Sequence, residues 1–217
     1  MRLISVINNP MGKLYTICEW TVKLVYVNLL WLLFTLAGFI ILGWMPATAS
    51  LFTIVRKWLF QKETNIPIWS TFVNGYKNDF IKINISGFIF LIVGGLLYLD
   101  YHFVLQTEGV IRMVMTSLLL LLTFFYLITV IFFFPVFVHF NLKLLDYFKF
   151  TLLLATMNIH ILLLILIMIV VDIFLLLYFP GLIPFFSMVS IACIIMAGGS
   201  YIFERMKKKQ NALALNR

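Results

Sequence analysis

Apolar residues run almost unbroken along this chain, and the polar interruptions fall at span-like intervals. A bilayer core about 30 Å thick needs roughly 20 apolar residues at about 1.5 Å each. Five runs reach that length: 20–43, 81–100, 111–138, 150–178 and 182–203. A sixth, 46–60, extends only about 22 Å as a helix. Segment 67–80 follows another pattern. Trp69, Phe72, Val73, Tyr76 and Phe80 recur at i, i+3, i+4, i+7 and i+11, which makes one apolar stripe, with Ser70, Thr71, Asn74, Lys77 and Asn78 away from it. A short aromatic-rich helix of this kind lies in the headgroup plane as an anchor, and its stripe is a candidate docking surface for a cytoplasmic partner. The pattern predicts an all-α fold, a polytopic membrane helix bundle forming a single transmembrane domain over 1–217. It has six transmembrane helices, the second one short, plus a cytoplasmic interfacial amphipathic helix.

Composition narrows the class. The 217 residues are 64% hydrophobic and 11% charged, against roughly 45–50% and about 25% in soluble domains. That excludes a soluble enzyme, a DNA-binding domain and a secreted disulfide scaffold. The lipid bilayer is therefore the first partner expected. Lysine and arginine number 16 against 8 acids, a net charge of +8. In a soluble protein this would point to nucleic acid. Here the cations flank apolar runs, so no nucleic-acid partner is expected.

The same charges arbitrate topology. With six spans and an inner N-terminus, Arg112 alone of the 16 basic residues falls outside. A five-span layout also moves Arg2, Lys13 and Lys23 outside. The bias of basic residues toward the inner side favours six spans, in a multi-pass plasma-membrane protein with cytoplasmic N- and C-termini. The competing picture makes 46–60 a half-helix that dips in and returns, its backbone needing protein cover. Pro46 suits the first turn of the short helix. Gly43 and Trp44 would form the external turn, while Arg56 and Lys57 lift their charges to the inner interface. Trp20, Trp58, Trp69, Tyr147 and Tyr201 mark that interface, and Trp44, Tyr98, Tyr101 and Tyr178 the outer one. Trp31 and Tyr126 lie deep, where packing between helices is expected. Ala47-Thr48-Ala49 has the form of a signal cleavage site, but the apolar run before it exceeds the about 7–15 residues of a signal core. No cleavage is expected there.

Ionisable and amide groups in hydrocarbon are costly, so each raises a functional question. In the fifth run Thr151, Asn158 and Asp172 follow at steps of 7 and 14 residues, which keeps successive members within about 40° on one helix. With His160 nearby they form the candidate intramembrane polar or substrate face. Asn28, Trp31 and Thr35 share a face of the first run and read as interhelical glue. Gly94-Gly95 and Ala197-Gly198-Gly199 permit close helix contact and a homo-oligomer. Arg205 and Lys207–Lys209 act as a stop signal after the last span. Cys18 and Cys193 lack a CxxC partner, so neither a disulfide nor a metal site is expected. There is no GxxxxGK[ST], HExxH, GxSxG or SxxK. We expect no enzyme, no catalytic residues and no cofactor.

Asn28-x2-Trp31, Pro46-Ala47-Thr48-Ala49, Arg56-Lys57 and Gly75-Tyr76-Lys77-x2-Phe80 resemble the YesL-like family of small bacterial integral membrane proteins. These motifs cover about residues 28–82, and the layout of spans fits the whole chain. The resemblance implies a membrane protein often encoded beside carbohydrate ABC importers and polysaccharide-use genes of Gram-positive bacteria. It supplies no catalytic residues. The EAA loop by which importer permeases dock their ATPases is not visible, which argues against the permease itself. The function expected is a non-enzymatic accessory component associated with carbohydrate ABC import, with sugar ABC importer subunits as partners. The alternative is an independent small-solute transporter or channel using the polar stripe of the fifth span.

Overall fold

The computed structural model describes residues 10–215; Arg2 and Arg217, both counted above to the inner side, lie outside them. Among the described residues the chain forms α-helices, one 3-10 turn and no strand. The helices are α1 (Pro10–Ala37), α2 (Ile41–Leu59), α3 (Ile68–Asn78), α4 (Phe80–Leu105), α5 (Gly109–His139), α6 (Leu144–Met157), α7 (Ile159–Tyr178) and α8 (Ile183–Leu215). Five helical stretches, within α1, α4, α5, α7 and 180–209, are long and apolar enough to cross a membrane. The expected all-α membrane bundle is thus what the chain builds.

The short second run is the centre of the bundle. As α2 it has 19 residues, about 28 Å, and packs against α1, α3, α4, α5 and α8. Most of it is buried, including the unbroken stretch Met45–Phe52. Small residues make this enclosure feasible. Its hydroxyls turn back on their own helix, with Thr48 donating to the Trp44 carbonyl at 2.7 Å, Ser50 to Pro46 at 2.9 Å and Thr53 to Ala49 at 2.9 Å. Hydroxyls satisfied in this way need no water.

The turn into α2 comes earlier than the sequence predicts. The chain reverses over residues 38–40, with Phe39 and Ile40 both at positive φ (56° and 66°). Ile40, with ψ −63°, centres a strained γ-turn closed by the Ile41 N–H donating to the Phe39 carbonyl at 2.7 Å. What holds it is a glycine contact. A Cβ on Gly38 would lie 2.3 Å from Gly43 Cα, and one on Gly43 would lie 2.5 Å from the Thr35 carbonyl oxygen. Gly43 is therefore a contact residue inside α2 rather than the turn. Pro46 is buried in the helix interior rather than in its first turn.

The fifth run is not one helix. It divides into α6 and α7 at Asn158, where φ is −124° and ψ 41°. The Asn158 amide donates to the Leu154 carbonyl at 2.9 Å, taking the oxygen that its own backbone N–H would use in a continuous helix; that N–H turns to Ala155 instead. Side-chain competition of this kind breaks helices. The single-helix geometry that aligned Thr151, Asn158 and Asp172 therefore does not hold. The α7 helix alone, at 20 residues, is about 30 Å long.

The interfacial helix is also turned. Phe72 is fully buried, and the Phe34 ring meets Trp69, Phe72 and Tyr76 at centroid distances of 5.9, 5.2 and 5.0 Å. Burial of this stripe against α1 and α2 occupies it; of its five residues only Trp69 is exposed. The docking face expected from the periodicity is thus a packing face, and the polar side of α3 faces elsewhere. If the glycine contact sets the hairpin, Gly43→Ala lowers the unfolding midpoint in detergent, the overpacking costing about 1–3 kcal/mol. Gly95→Ala, whose new methyl meets nothing within 4 Å, is neutral or stabilising by up to about 1 kcal/mol.

Candidate functional site

The last turns of α2 place Ala49, Thr53, Arg56 and Lys57 on one face. The polar side of α3 places Ser70, Thr71, Asn74 and Asn78 on another. Because successive long helices run in opposite directions, the ends of α2 and α5 and the starts of α4 and α6 gather at the same end of the bundle. These pieces enclose a polar cavity of about 680 Å³, closed by Asp79 and Lys82 from the start of α4, by Phe137–Asn141 and by Tyr147. That volume lies within the roughly 300–1,000 Å³ of small-molecule pockets.

One wall is rigidly built around Tyr147. Its buried hydroxyl donates to the Phe140 carbonyl at 2.8 Å and accepts from the Leu142 N–H at 3.1 Å. The Lys82 ammonium donates to that hydroxyl at 3.3 Å and to the Leu142 carbonyl at 3.0 Å. It also lies 4.8 Å from the Tyr147 ring centroid and 5.8 Å from that of Phe137. Lys82 is thus held without a carboxylate, by oxygen lone pairs and ring faces. His139 is fixed by rings as well, stacked on Phe203 at 4.3 Å and edge-on to Phe60 at 4.6 Å.

The other wall is left open electrostatically. The Arg56 Nε and His139 Nδ1 atoms are buried and have no hydrogen-bond partner. Glu63 attracts Arg56 without forming an ion pair; among the described residues the ion pair found is Glu19–Lys23 at 2.6 Å. The charged lining is Arg56, Lys57 and Lys82 against the single carboxylate of Asp79. Such a site can hold an anion. Among the described residues no group of three His, Cys, Asp or Glu could hold a metal ion.

The polar face expected in the fifth run is elsewhere and dispersed. Thr151 is buried with an unpartnered hydroxyl, Asn158 is spent on the helix break, and His160 is exposed. Asp172 is half-buried and accepts a hydrogen bond from Ser190 at 2.8 Å. None of the four lines the polar cavity, nor the separate apolar recess of about 390 Å³ beside Trp44, Met45, Gly87, Tyr126 and Phe134. The cavity residues Arg56, Lys57 and Lys82 read in sequence as orientation signals alone. The signal that finds them is the pairing of two polar helix faces, 49-53-56-57 and 70-71-74-78, across one short loop.

The glue expected in α1 is present in two of three places. The buried Asn28 side chain inserts into the first turn of α8, donating to the Pro184 carbonyl at 2.8 Å and accepting from the Met188 and Val189 N–H groups at 3.0 and 3.1 Å. Trp31 Nε1 donates to Thr48 Oγ1 at 3.0 Å, whereas Thr35 Oγ1 has no partner. Tyr126, also placed deep, donates to the Phe90 carbonyl at 3.2 Å.

Fold and site together define a helical membrane-type protein with a cation-lined cavity at one end. The chain belongs to the family described as "Protein of unknown function, DUF624", which matches residues 24–101, the α1–α4 region that carries most of the cavity. It is 36% identical over 181 residues to the uncharacterized protein YteU of Bacillus subtilis (strain 168), covering 83% of this chain and 81% of the relative. It is 36% identical over 183 residues to the uncharacterized protein YesV of the same organism, 84% and 88% of the two chains. The uncharacterized protein YesL, also from that strain, is 30% identical over 138 residues, 64% of each. No solved structure matches the chain. Tyr147→Phe, which leaves Lys82 and the Leu142 N–H short of a partner, is expected to cost about 1–3 kcal/mol in denaturant unfolding with helix content retained.

Proposed function

We propose that this protein is a non-enzymatic accessory component of carbohydrate ABC import, a six-span plasma-membrane protein with both termini cytoplasmic. One observation carries the reading. Asn28, Trp31, Tyr126 and Asp172, deep in the long helices, are closed onto neighbouring helices. The buried unpartnered nitrogens of Arg56 and His139 lie instead at the basic end of the bundle, within reach of an importer's cytoplasmic subunits. Polar groups used as fasteners support a structural role for the spans, and the resemblance to proteins encoded beside such importers supplies the partner class. In this topology α2 crosses the membrane inside a sleeve of other helices, which relieves it of the need to be strongly apolar.

A specific feature favours a second reading, an independent small-solute carrier. The break at Asn158 is a discontinuity in a membrane helix, as carriers use at their binding sites. Against it, the break is closed locally, with the Ile161 and Leu162 N–H groups both donating to the Asn158 carbonyl at 3.0 and 3.1 Å.

Co-purification in mild detergent with a sugar-importer permease of the same cell, and slower sugar uptake on deletion, are the expected results. Absence of co-purification together with unchanged uptake sinks the importer reading. Proteoliposome flux that depends on Asp172, lost in Asp172→Asn, would establish the carrier instead. Reporter tags inserted at residues 39 and 62 should report opposite sides of the membrane; both reporting cytoplasm means that α2 returns rather than crosses.

A further inference from the structure

We infer that the cavity at the basic end is a binding site for a phosphate ester bearing hydroxyl groups, presented either by a lipid headgroup or by a soluble molecule. This goes beyond an association with an importer and does not depend on it.

The argument is one of unmet valence. A half-buried arginine is ordinarily paired, because its desolvated N–H donors are costly to leave empty. Arg56 has a shielded Nε with no partner and no ion pair, although its stem is long enough to reach open water. A simple interfacial arginine would keep its head solvated. Here Nε is shielded and the guanidinium lines a cavity shared with Lys57 and Lys82, so three cations repel one another across a space relieved by one carboxylate. An anion entering that space removes the repulsion and supplies acceptors to Arg56 at once. Guanidinium forks suit phosphate oxygens, and charge-assisted bonds of this kind are the strong ones.

The remaining lining narrows the class. Asn74 and Asn78 on α3 each offer an amide with both donors and an acceptor, and Asp79 adds an acceptor-only group. A bare inorganic anion leaves such acceptors unused, whereas the hydroxyls of a polyol ester meet them. Phe137, Phe140 and Pro67 supply an apolar edge suited to carbon backbone. Lys82 is already held by Tyr147 and Leu142, so it serves as a fixed charge while Arg56 is free to close on the ligand.

The test uses the full chain with two probes. In detergent, glycerol 3-phosphate binding is measured by calorimetry, with inorganic phosphate for comparison. In nanodiscs of phosphatidylcholine with or without phosphatidylglycerol, retained lipid is measured by native mass spectrometry. Binding of glycerol 3-phosphate alone identifies a soluble ester, and selective retention of phosphatidylglycerol identifies a headgroup. Either supports the site if Arg56→Gln and Asn74→Asp each weaken it by about tenfold or more, as loss of a charge-assisted bond or gain of a repelling carboxylate requires. Lys207→Gln, on the exposed tail of α8, should leave affinity within about twofold, as for a distant screened charge. Asn74 is exposed, so its variant keeps the test intact should Arg56→Gln fold poorly. Binding of neither probe, tighter binding of bare phosphate than of the ester, or equal affinity in all three variants overturns the assignment.

Discussion

Close approach of α2 to the helices around it is the contact on which this structure depends. Hydrocarbon supplies no hydrophobic drive for helices to associate, so they are held by packing and by interhelical hydrogen bonds. Packing at short range demands small surfaces, and the chain provides them. Gly38 meets Gly43, Ser50 meets Gly75, and Gly87 meets Met45. Ala47 and Ala49 are buried on the same helix. With α2 enclosed, α3 can fold down over it, and only then do the polar face of α3 and the end of α2 oppose each other to make a cavity. The site is in this sense a consequence of a tight helical hairpin some distance away.

The same low-dielectric setting explains how the deep polar side chains are used. Away from water an unpaired polar group is expensive. The structure turns most hydroxyls and the amides of Asn84 and Asn158 back on their own helices while pairing a few groups across helices. Asn28 is the clearest case. Its amide bridges the Pro184 carbonyl and the Met188 N–H, a rung that an uninterrupted α-helix would close for itself, so α1 becomes part of the backbone ladder of α8. Asp172 and Ser190 fasten α7 to α8 in the same manner. Asn28 and Asp172 are thus fasteners between helices, and the stripe from Thr151 to Asp172 dissolves into an unpartnered hydroxyl, a helix break and a cross-helix tie.

How much of this was legible in the sequence divides along physical lines. Run lengths gave the long apolar helices, because burying apolar residues in lipid is a composition effect that needs no partner. The amphipathic period at 67–80 gave α3, and the deep placement of Trp31 and Tyr126 gave two interhelical contacts. What stayed hidden depended on partners distant in sequence. Gly43 reads as a turn until Gly38 and Thr35 are seen against it. Trp69, Phe72 and Tyr76 read as a free stripe until Phe34 covers it. Asn158 reads as one member of a polar face because periodicity assumes an unbroken helix, and that side chain breaks it. The cavity lay beyond reach for the same reason, since its lining comes from five helices and the segments that join them.

The basic residues show why a single property can carry two meanings. Orientation in a bilayer asks only that lysine and arginine lie near one side, and it is indifferent to their arrangement there. An up-and-down bundle then brings those charges together, since every second helix end arrives at the same place. Repulsion among them has to be met in some way, and the chain meets it unequally. Lys82 receives a carbonyl, a phenol and two ring faces. Arg56 receives only the distant pull of Glu63. Topology alone would be served as well by cations spread along the exposed loops, where water screens them at no cost. Holding the Arg56 Nε shielded and unpaired costs stability that orientation does not require, and that excess is what the inferred anion site accounts for.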